Sequence, residues 1–376
     1  DARVYCEYGI NKENLIQKSI SLSLEANKPG VLQIAGLKPN SKYYYRVSYK
    51  NISDANFKSG PIYHFQTQRQ KGESFRFVVE ADPHLDSNTI HEAYRLSLRN
   101  MLNNDPDFLI DLGDNFMSDK MPVVNNLEIT KRNILYRSFF NELSHSVPLY
   151  LTLGNHEGET GWRNKPGQDS LPTWARQTRK KYYPNPYPDG FYTGNKIAMT
   201  GVGLPENYYA WEWGNALFIV IDPYMETKNR GEWNWTLGKD RRGGTEFVDF
   251  FEMGGKNVDG SWGFDSNRPG WGKPIHQIMV DNKVSVFFHG HDHFFGKQEK
   301  DGIVYQAVPQ PSSRNINKIT GSAYGYKEGV LMEGRGYMQV SVSALECKID
   351  YIRTYMASEE KSGRKNGEIA FSYTIK

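Results

Sequence analysis

The stretch Phe75-Arg-Phe-Val-Val-Glu-Ala81-Asp82-Pro-His84 decides how this chain is read. Its apolar run predicts a strand, and the strand leads straight into Asp82 and His84. Those two ligand-type side chains stand two residues apart, so in an extended segment both face one side. Beyond them the pattern alternates between helical periods and strands. Apolar residues at 90, 94, 98, 101 and 102 predict an amphipathic helix over 90–102. A strand over 107–112 then delivers Gly113-Asp114, a helix is expected over 126–143, and a strand over 148–153 delivers Gly154-Asn155-His156-Glu157. Late in the chain a helix over 273–281 precedes a strand over 283–288, which delivers Gly290-His291-Asp292-His293. Each polar cluster therefore follows the carboxyl end of an apolar strand, the rim where open α/β sheets place their ligands. Segments 303–308, 336–355 and 368–375 return to strands and are expected to close a second sheet layer.

Singly, these motifs are weak, because Asp-x-His pairs and Gly-Asp or Gly-Asn dipeptides commonly mark caps and turns. In this order, each behind a strand, they point to a metal site. Asp82-Pro-His84 and His291-Asp-His293 share one spacing, and the glycines before Asp114 and Asn155 let the backbone turn sharply next to a ligand.

Ahead of this region, residues 3–68 read as all-β, with strands expected over 4–8, 19–24, 31–34, 43–49 and 62–67. Within them, Leu37-Lys-Pro39-Asn-Ser41-Lys-Tyr43-Tyr-Tyr45-Arg-Val47 resembles the fibronectin type III pattern, in which a Leu and a Tyr anchor a strand-entry corner. Such sandwiches have seven strands, so further chain is expected before Asp1. Residues 68–74 read as a linker. The expected architecture is thus α/β, with two domains: an N-terminal β-sandwich over 1–68 and a two-sheet domain flanked by helices over 69–376.

At 376 residues the chain is long enough for two domains. Its 46 Lys plus Arg against 43 Asp plus Glu give a formal charge of +3, which argues against a nucleic-acid binder held by electrostatics. Aromatics make up 14%, with 24 Tyr and 8 Trp, as befits a soluble protein rich in amphipathic rings. No run approaches the roughly 18 apolar residues that a membrane span needs. The first residue is Asp1 rather than Met, so removal of a leader and an extracytoplasmic location, periplasmic or secreted, are expectations. Cys6 and Cys347 are the only cysteines; so distant a pair forms no disulfide framework, and no bridge is expected.

The ordered clusters resemble the signature of the calcineurin-like metallophosphoesterase superfamily: D-x-H, G-D, G-N-H-[DE], a separate His, and G-H-x-H. Four of these five blocks are present. With the sandwich in front, the chain is most similar to the purple acid phosphatase and phosphodiesterase-like branches. The resemblance implies hydrolysis of a small-molecule phosphate ester, monoester or diester, by a metal-bound hydroxide. It implies two divalent metal ions, one held by Asp82, His84 and His293, the other by Asn155 and His291, with Asp114 bridging and His156 catalytic. Two cations about 4 Å apart can neutralise a phosphate ester and clamp its attacking and leaving oxygens in line. Oxygen and nitrogen donors without thiolate suit manganese, zinc or ferrous iron.

Two departures stand out. Met117 takes the place where purple enzymes carry an iron-binding Tyr. The separate His of the fourth block has no evident counterpart: His276 falls inside a helix, where a solvated or capping role is expected, and His289 immediately precedes Gly290, where it is expected to support the site or the substrate. Residues 222–274 contain no apolar run long enough for a sheet strand. Several tens of further residues, carrying the missing ligand, are therefore expected near 238–242 of the natural protein. The alternative is a degenerate relative that binds a cell-surface partner. The polar and aromatic stretch 185–193, with Trp162, Arg163 and Lys165, reads either as a wall of the pocket or as a surface loop. Arg241 and Arg242 read as solvated, and Trp211 and Trp213 as packing residues.

Overall fold

The computed structural model describes residues 1–117, 121–157, 169–222, 261–267, 270, 272–317, 326 and 329–376. The N-terminal strands form one antiparallel sheet: β1 (Ala2–Gly9), β2 (Gln17–Lys18), β3 (Leu22–Leu24), β4 (Lys42–Asn51), β5 (Lys58–Ser59) and β6 (Tyr63–Gln66). β1 and β4 pair along their lengths, from Ala2 opposite Asn51 to Gly9 opposite Tyr44. Cys6, Tyr8 and Tyr43 make its small core, against which Leu32, Ile34, Leu37, Tyr45 and Phe65 pack. Residues 31–34, expected as a strand, form none. Their alternation is real, since Leu32 and Ile34 pack inward and Val31 points out, but their backbone joins no ladder. The expected corner is present: the Lys38 amide donates to Tyr43 Oη at 3.0 Å while Leu37 packs below.

This sheet is tied to the rest of the molecule. Tyr45 Oη donates to the His145 carbonyl at 2.7 Å, and the Tyr63 ring stacks on His145 with centroids 4.3 Å apart. Residues 68–74, expected as a linker, are pinned at their start: the Arg69 fork meets the buried Asp107 carboxylate at 2.7 and 2.9 Å, which also accepts from Trp213 Nε1 at 2.9 Å.

The central sheet contains β7 (Phe75–Glu80), β8 (Phe108–Asp111) and β9 (Leu149–Leu151), mutually parallel, extended by the antiparallel β17 (Gly336–Val342), β18 (Cys347–Arg353) and β19 (Ile369–Ile375) in the order β19-β18-β17-β7-β8-β9. The period of two along β7 sends its side chains into two cores. Phe75, Phe77 and Val79 face a core shared with Phe108, Tyr150, Trp211, Trp213 and Tyr351. Val78 faces the other, with Tyr94, Leu98 and Met101 of α1 (His91–Asn103) and Tyr136, Phe139 and Phe140 of α2 (Asn126–Phe140). Asn125 starts α2 by accepting the Glu128 amide on its side chain at 2.9 Å.

The second layer consists of β10 (Thr193–Gly194), β11 (Tyr209–Trp213) and β12 (Ala216–Val220) in one sheet, and β13 (Val286–His289), β14 (Phe295–Lys300), β15 (Ile303–Ala307) and β16 (Val330–Met332) in another. Among the described residues β12 and β13 do not pair. The intervening 223–260, including the junction 238–242, lies outside the described residues. The result is the expected mixed α/β class, two sheet layers facing each other with helices outside.

Phe108 is fully buried amid Phe77, Tyr150, Trp211, Trp213 and Phe218. Replacing it by Ala is expected to cost about 3–5 kcal/mol, read from denaturant unfolding. Cys6 and Cys347 are both free, as expected, and burial, joined at Cys6 by the Glu7 charge, pushes each thiol up to about 11. At pH 8 a thiol reagent should therefore label the native protein slowly and the denatured protein twice.

Candidate metal centre

The clusters meet because backbone amides of the strand-end loops bond carbonyls and carboxylates of neighbouring loops. The Asp82 amide donates to the Gly113 carbonyl at 3.0 Å and the His84 amide to the Asp114 carbonyl at 3.3 Å, joining the loop after β7 to the loop after β8. The His291 amide donates to Asp82 Oδ2 at 2.7 Å, joining the loop after β13 to the loop after β7. Five of the six residues expected as ligands lie in the left-handed region, with φ of 57° at Asp82, 54° at His84, 59° at Asp114, 80° at His291 and 63° at His293. Non-glycine residues rarely adopt it, and each such residue costs on the order of 1–3 kcal/mol. Neighbouring side chains hold the first loop there by capturing its carbonyls: Gln310 Nε2 donates to Asp82 at 2.8 Å, Ser312 Oγ to Pro83 at 2.7 Å, and Arg132 to His84 and, at 3.1 Å, to Leu85.

Two glycines permit the approach. A Cβ at Gly154 would lie 2.3 Å from Asp114 Oδ1, and one at Gly290 would lie 2.6 Å from Asp82 Oδ2. At either position a Cβ would push the facing carboxylate out of its place.

Asp82, His84 and His293 each bring one donor atom within 4.8 Å of the other two. His84 Nε2 stands 3.8 Å from both Asp82 Oδ1 and Asp114 Oδ2, and His293 Nε2 stands 3.9 Å from Asp82 Oδ1. Asn155 Oδ1 and His291 Nδ1 are 3.0 Å apart. His156 lies alongside, its Nε2 4.0 Å from Asp114 Oδ2 and its ring 5.7 Å from that of His84. Asp82, His84, Asp114, Asn155 and His156 are buried, whereas the His293 side chain is 37% exposed and marks the side open to solvent. All seven residues singled out from the sequence thus gather at one rim.

The electrostatics are those of a site built for cations. Burial and the neighbouring Asp114 charge hold the Asp82 carboxyl well above the usual carboxylate range. Burial acts on Asp114 in the same direction, but His156, His84 and His291 outweigh it and hold this group down at about 2. Two adjoining carboxylates surrounded by imidazoles, with no thiolate, fit a hard or borderline divalent ion, which would supply the positive charge that buried carboxylates need.

Other expectations fare differently. His276, expected to be solvated, is buried: its ring nitrogens bond Tyr305 Oη at 2.6 Å and Asp301 Oδ2 at 2.8 Å, because the helix over Ile275–Asp281 packs on β15. His289 is buried against Phe287, and burial pushes it down to about 4, so it is neutral near pH 7. Asn185, at the start of the stretch read as a wall or a surface loop, is buried and bonds both the Leu151 amide and carbonyl. Trp211 and Trp213 pack in the core, as expected. Trp162, Arg163, Lys165, Arg241 and Arg242 lie outside the described residues.

Glu157, the last residue of Gly154-Asn155-His156-Glu157, has no role that the sequence pattern assigned. It is buried and accepts backbone amides from both Gly154 and Asp114 at 2.8 Å. An acidic side chain beside consecutive turn amides was the available signal. Also missed was a buried pair behind the site, Glu80 and Asp111, directly opposite in the β7–β8 register. Asp111 accepts from the Gly113 amide at 2.8 Å and Asn115 Nδ2 at 2.7 Å, and its burial pushes it up to about 7.

Because Gly290 lets the His291 amide reach Asp82, Gly290→Ala is expected to weaken manganese binding by about 10–100-fold in calorimetry while leaving the fold intact. Unchanged affinity would mean that this close approach does not control the site.

The family profile for calcineurin-like phosphoesterases matches residues 75–295, from the first residue of β7 to the first of β14. Among solved structures, the chain is similar to a purple acid phosphatase from yellow lupin (Lupinus luteus) seeds, 14% identical, covering 100% of this chain and 69% of that one with a TM-score of 0.59. It is similar to PhoD at 14% identity, covering 99% and 83% of the two chains with a TM-score of 0.61. At such identity the likeness is one of fold. No curated protein matches it in sequence. The strand-end clusters that meet at this rim thus lie within a profile spanning more than half of the protein, and the chain belongs to the calcineurin-like phosphoesterase family.

Proposed function

We propose that the protein hydrolyses small-molecule phosphate esters, monoesters or diesters, at a dinuclear centre of divalent ions. The observation that carries this reading is the convergence of Asp82, His84 and His293, donor atoms within 4.8 Å of one another, at the rim where Asp114, Asn155 and His291 also stand. Asp82, His84 and His293 would hold one ion, Asn155 and His291 would hold the other, and Asp114 stands within reach of His84 and His156 beside them. Bound there, the ions would supply Lewis acidity and a nucleophile at neutral pH. His156 donates a proton to the leaving oxygen, a role supported by its place beside Asp114 and by its backbone amide, which donates to Asp114 Oδ1 at 3.0 Å and so orients the residue. The exposed edge of His293 is the side from which substrate enters. A near-balanced formal charge of +3 favours small esters over polynucleotides.

The test is turnover of an aryl phosphomonoester and a bis-aryl phosphodiester by protein stripped with a chelator and reloaded with manganese, zinc or ferrous iron. Activity is expected to vanish on stripping and return with metal. His156→Ala is expected to lower kcat by about 10²–10⁴-fold on alkyl esters and by less on p-nitrophenyl esters, whose leaving group needs little protonation. Metal binding without turnover of any ester would instead mark a binding protein.

A further inference from the structure

We infer that Glu157 is a positioning residue of this centre: its carboxylate clamps the loop after β8 to the loop after β9 and so sets where Asp114, Asn155 and His156 stand. Oε2 accepts the amides of Gly154 and Asp114, each at 2.8 Å. Oε1 accepts the amide of Phe116 at 2.9 Å and that of Asn115. Asp114, Asn115 and Phe116 are consecutive and Asp114 is left-handed, so their amides form the concave nest that elsewhere binds an anion. Here the anion is a side chain of the same protein, only 5% exposed. The grip is reciprocal: Glu157 holds the Asp114 backbone, while the His156 amide holds the Asp114 side chain at 3.0 Å.

Only a carboxylate fits the arrangement. It presents two acceptor oxygens to four N–H donors, whereas an amide would turn its own N–H groups against two of them. Behind Glu157, a small cavity is lined by Phe116, Asn133, Ala175 and two arginines, Arg176 and Arg179, both almost fully buried. Their charge favours an anion at this place. The Asp114 loop carries strained φ angles, and a loop so strained keeps its shape only while its surroundings over-determine it.

The inference rests on the proposed hydrolysis, and the test separates the two. Hydrogen exchange by mass spectrometry is followed in segments 113–117 and 152–157 of the full chain, wild type, Glu157→Gln and Glu157→Asp, together with manganese affinity, kcat and KM. In Glu157→Gln, exchange is expected to accelerate in those two segments and to stay unchanged in β17 to β19. kcat is expected to fall about 10²-fold, with KM altered by less than about threefold. Glu157→Asp, which keeps the charge on a shorter stem, is expected to fall between the two. Unchanged exchange in both segments, a wild-type kcat in Glu157→Gln, or protection lost throughout the molecule would overturn the assignment. Should Glu157→Gln not fold, the Asp variant decides: wild-type exchange and kcat there refute the clamp. A wild-type protein that binds manganese but hydrolyses nothing defeats the hydrolase reading, while the exchange arm still judges the clamp.

Discussion

The amide of His291 meets a carboxylate oxygen of Asp82 at 2.7 Å, 209 positions away in the chain, and the rest of the site is arranged around that bond. It joins the rim of the central sheet to the rim of the second layer. One oxygen of Asp82 is thereby occupied and aimed, which leaves Oδ1 facing His84 at 3.8 Å and His293 at 3.9 Å. The distance between the two rims is set by the core between the sheets, where Phe295 stacks on Tyr351 with centroids 4.9 Å apart. Close packing transmits any shift of that core to the donors, since side chains at interior density have little space in which to relax.

Around that bond the protein concentrates groups that would ordinarily avoid one another. Asp82, Asp114, Glu157, Glu80 and Asp111 are all buried near one rim. Burial raises the carboxyls, and like charges push neighbouring groups apart, so only Asp114, surrounded by three imidazoles, is held low. Backbone amides bond both oxygens of Glu157 and Oδ1 of Asp111, and imidazoles flank Asp82 and Asp114. Asp82 and Asp114 stand among the imidazoles, while Glu157 and Asp111 accept amides of the loops that carry them. Residues in left-handed conformations recur in both the first and last clusters, and such local cost is tolerable only where packing and carbonyl capture fix the loop.

Much of this was legible locally. The apolar runs ending at Glu80, Asp111, Leu151 and His289 are strands, and the clusters after them supply the donors. Sequence failed where a residue's environment is made by distant chain. Residues 31–34 alternate like a strand and bury Leu32 and Ile34, yet no neighbouring backbone pairs with them. His276 lies on a short helix that reads as solvent-facing, but β15 brings Tyr305 against it. Glu157 looks like an ordinary turn acid until the Asp114 loop folds its amides over it.

By itself the sequence determined the alternation of strands and helices, the strand-end placement of Asp82, His84, Asp114, Asn155, His156, His291 and His293, and the family they resemble. The first two follow from side-chain period and from glycines at turns, and the resemblance from the order of the short motifs, all of which are local properties. Only the tertiary structure decided the left-handed backbone of those loops, the contact of Asp82 with His291, and the clamp at Glu157. Each of these depends on groups far apart in the chain meeting at hydrogen-bond distance, and no local pattern encodes that distance.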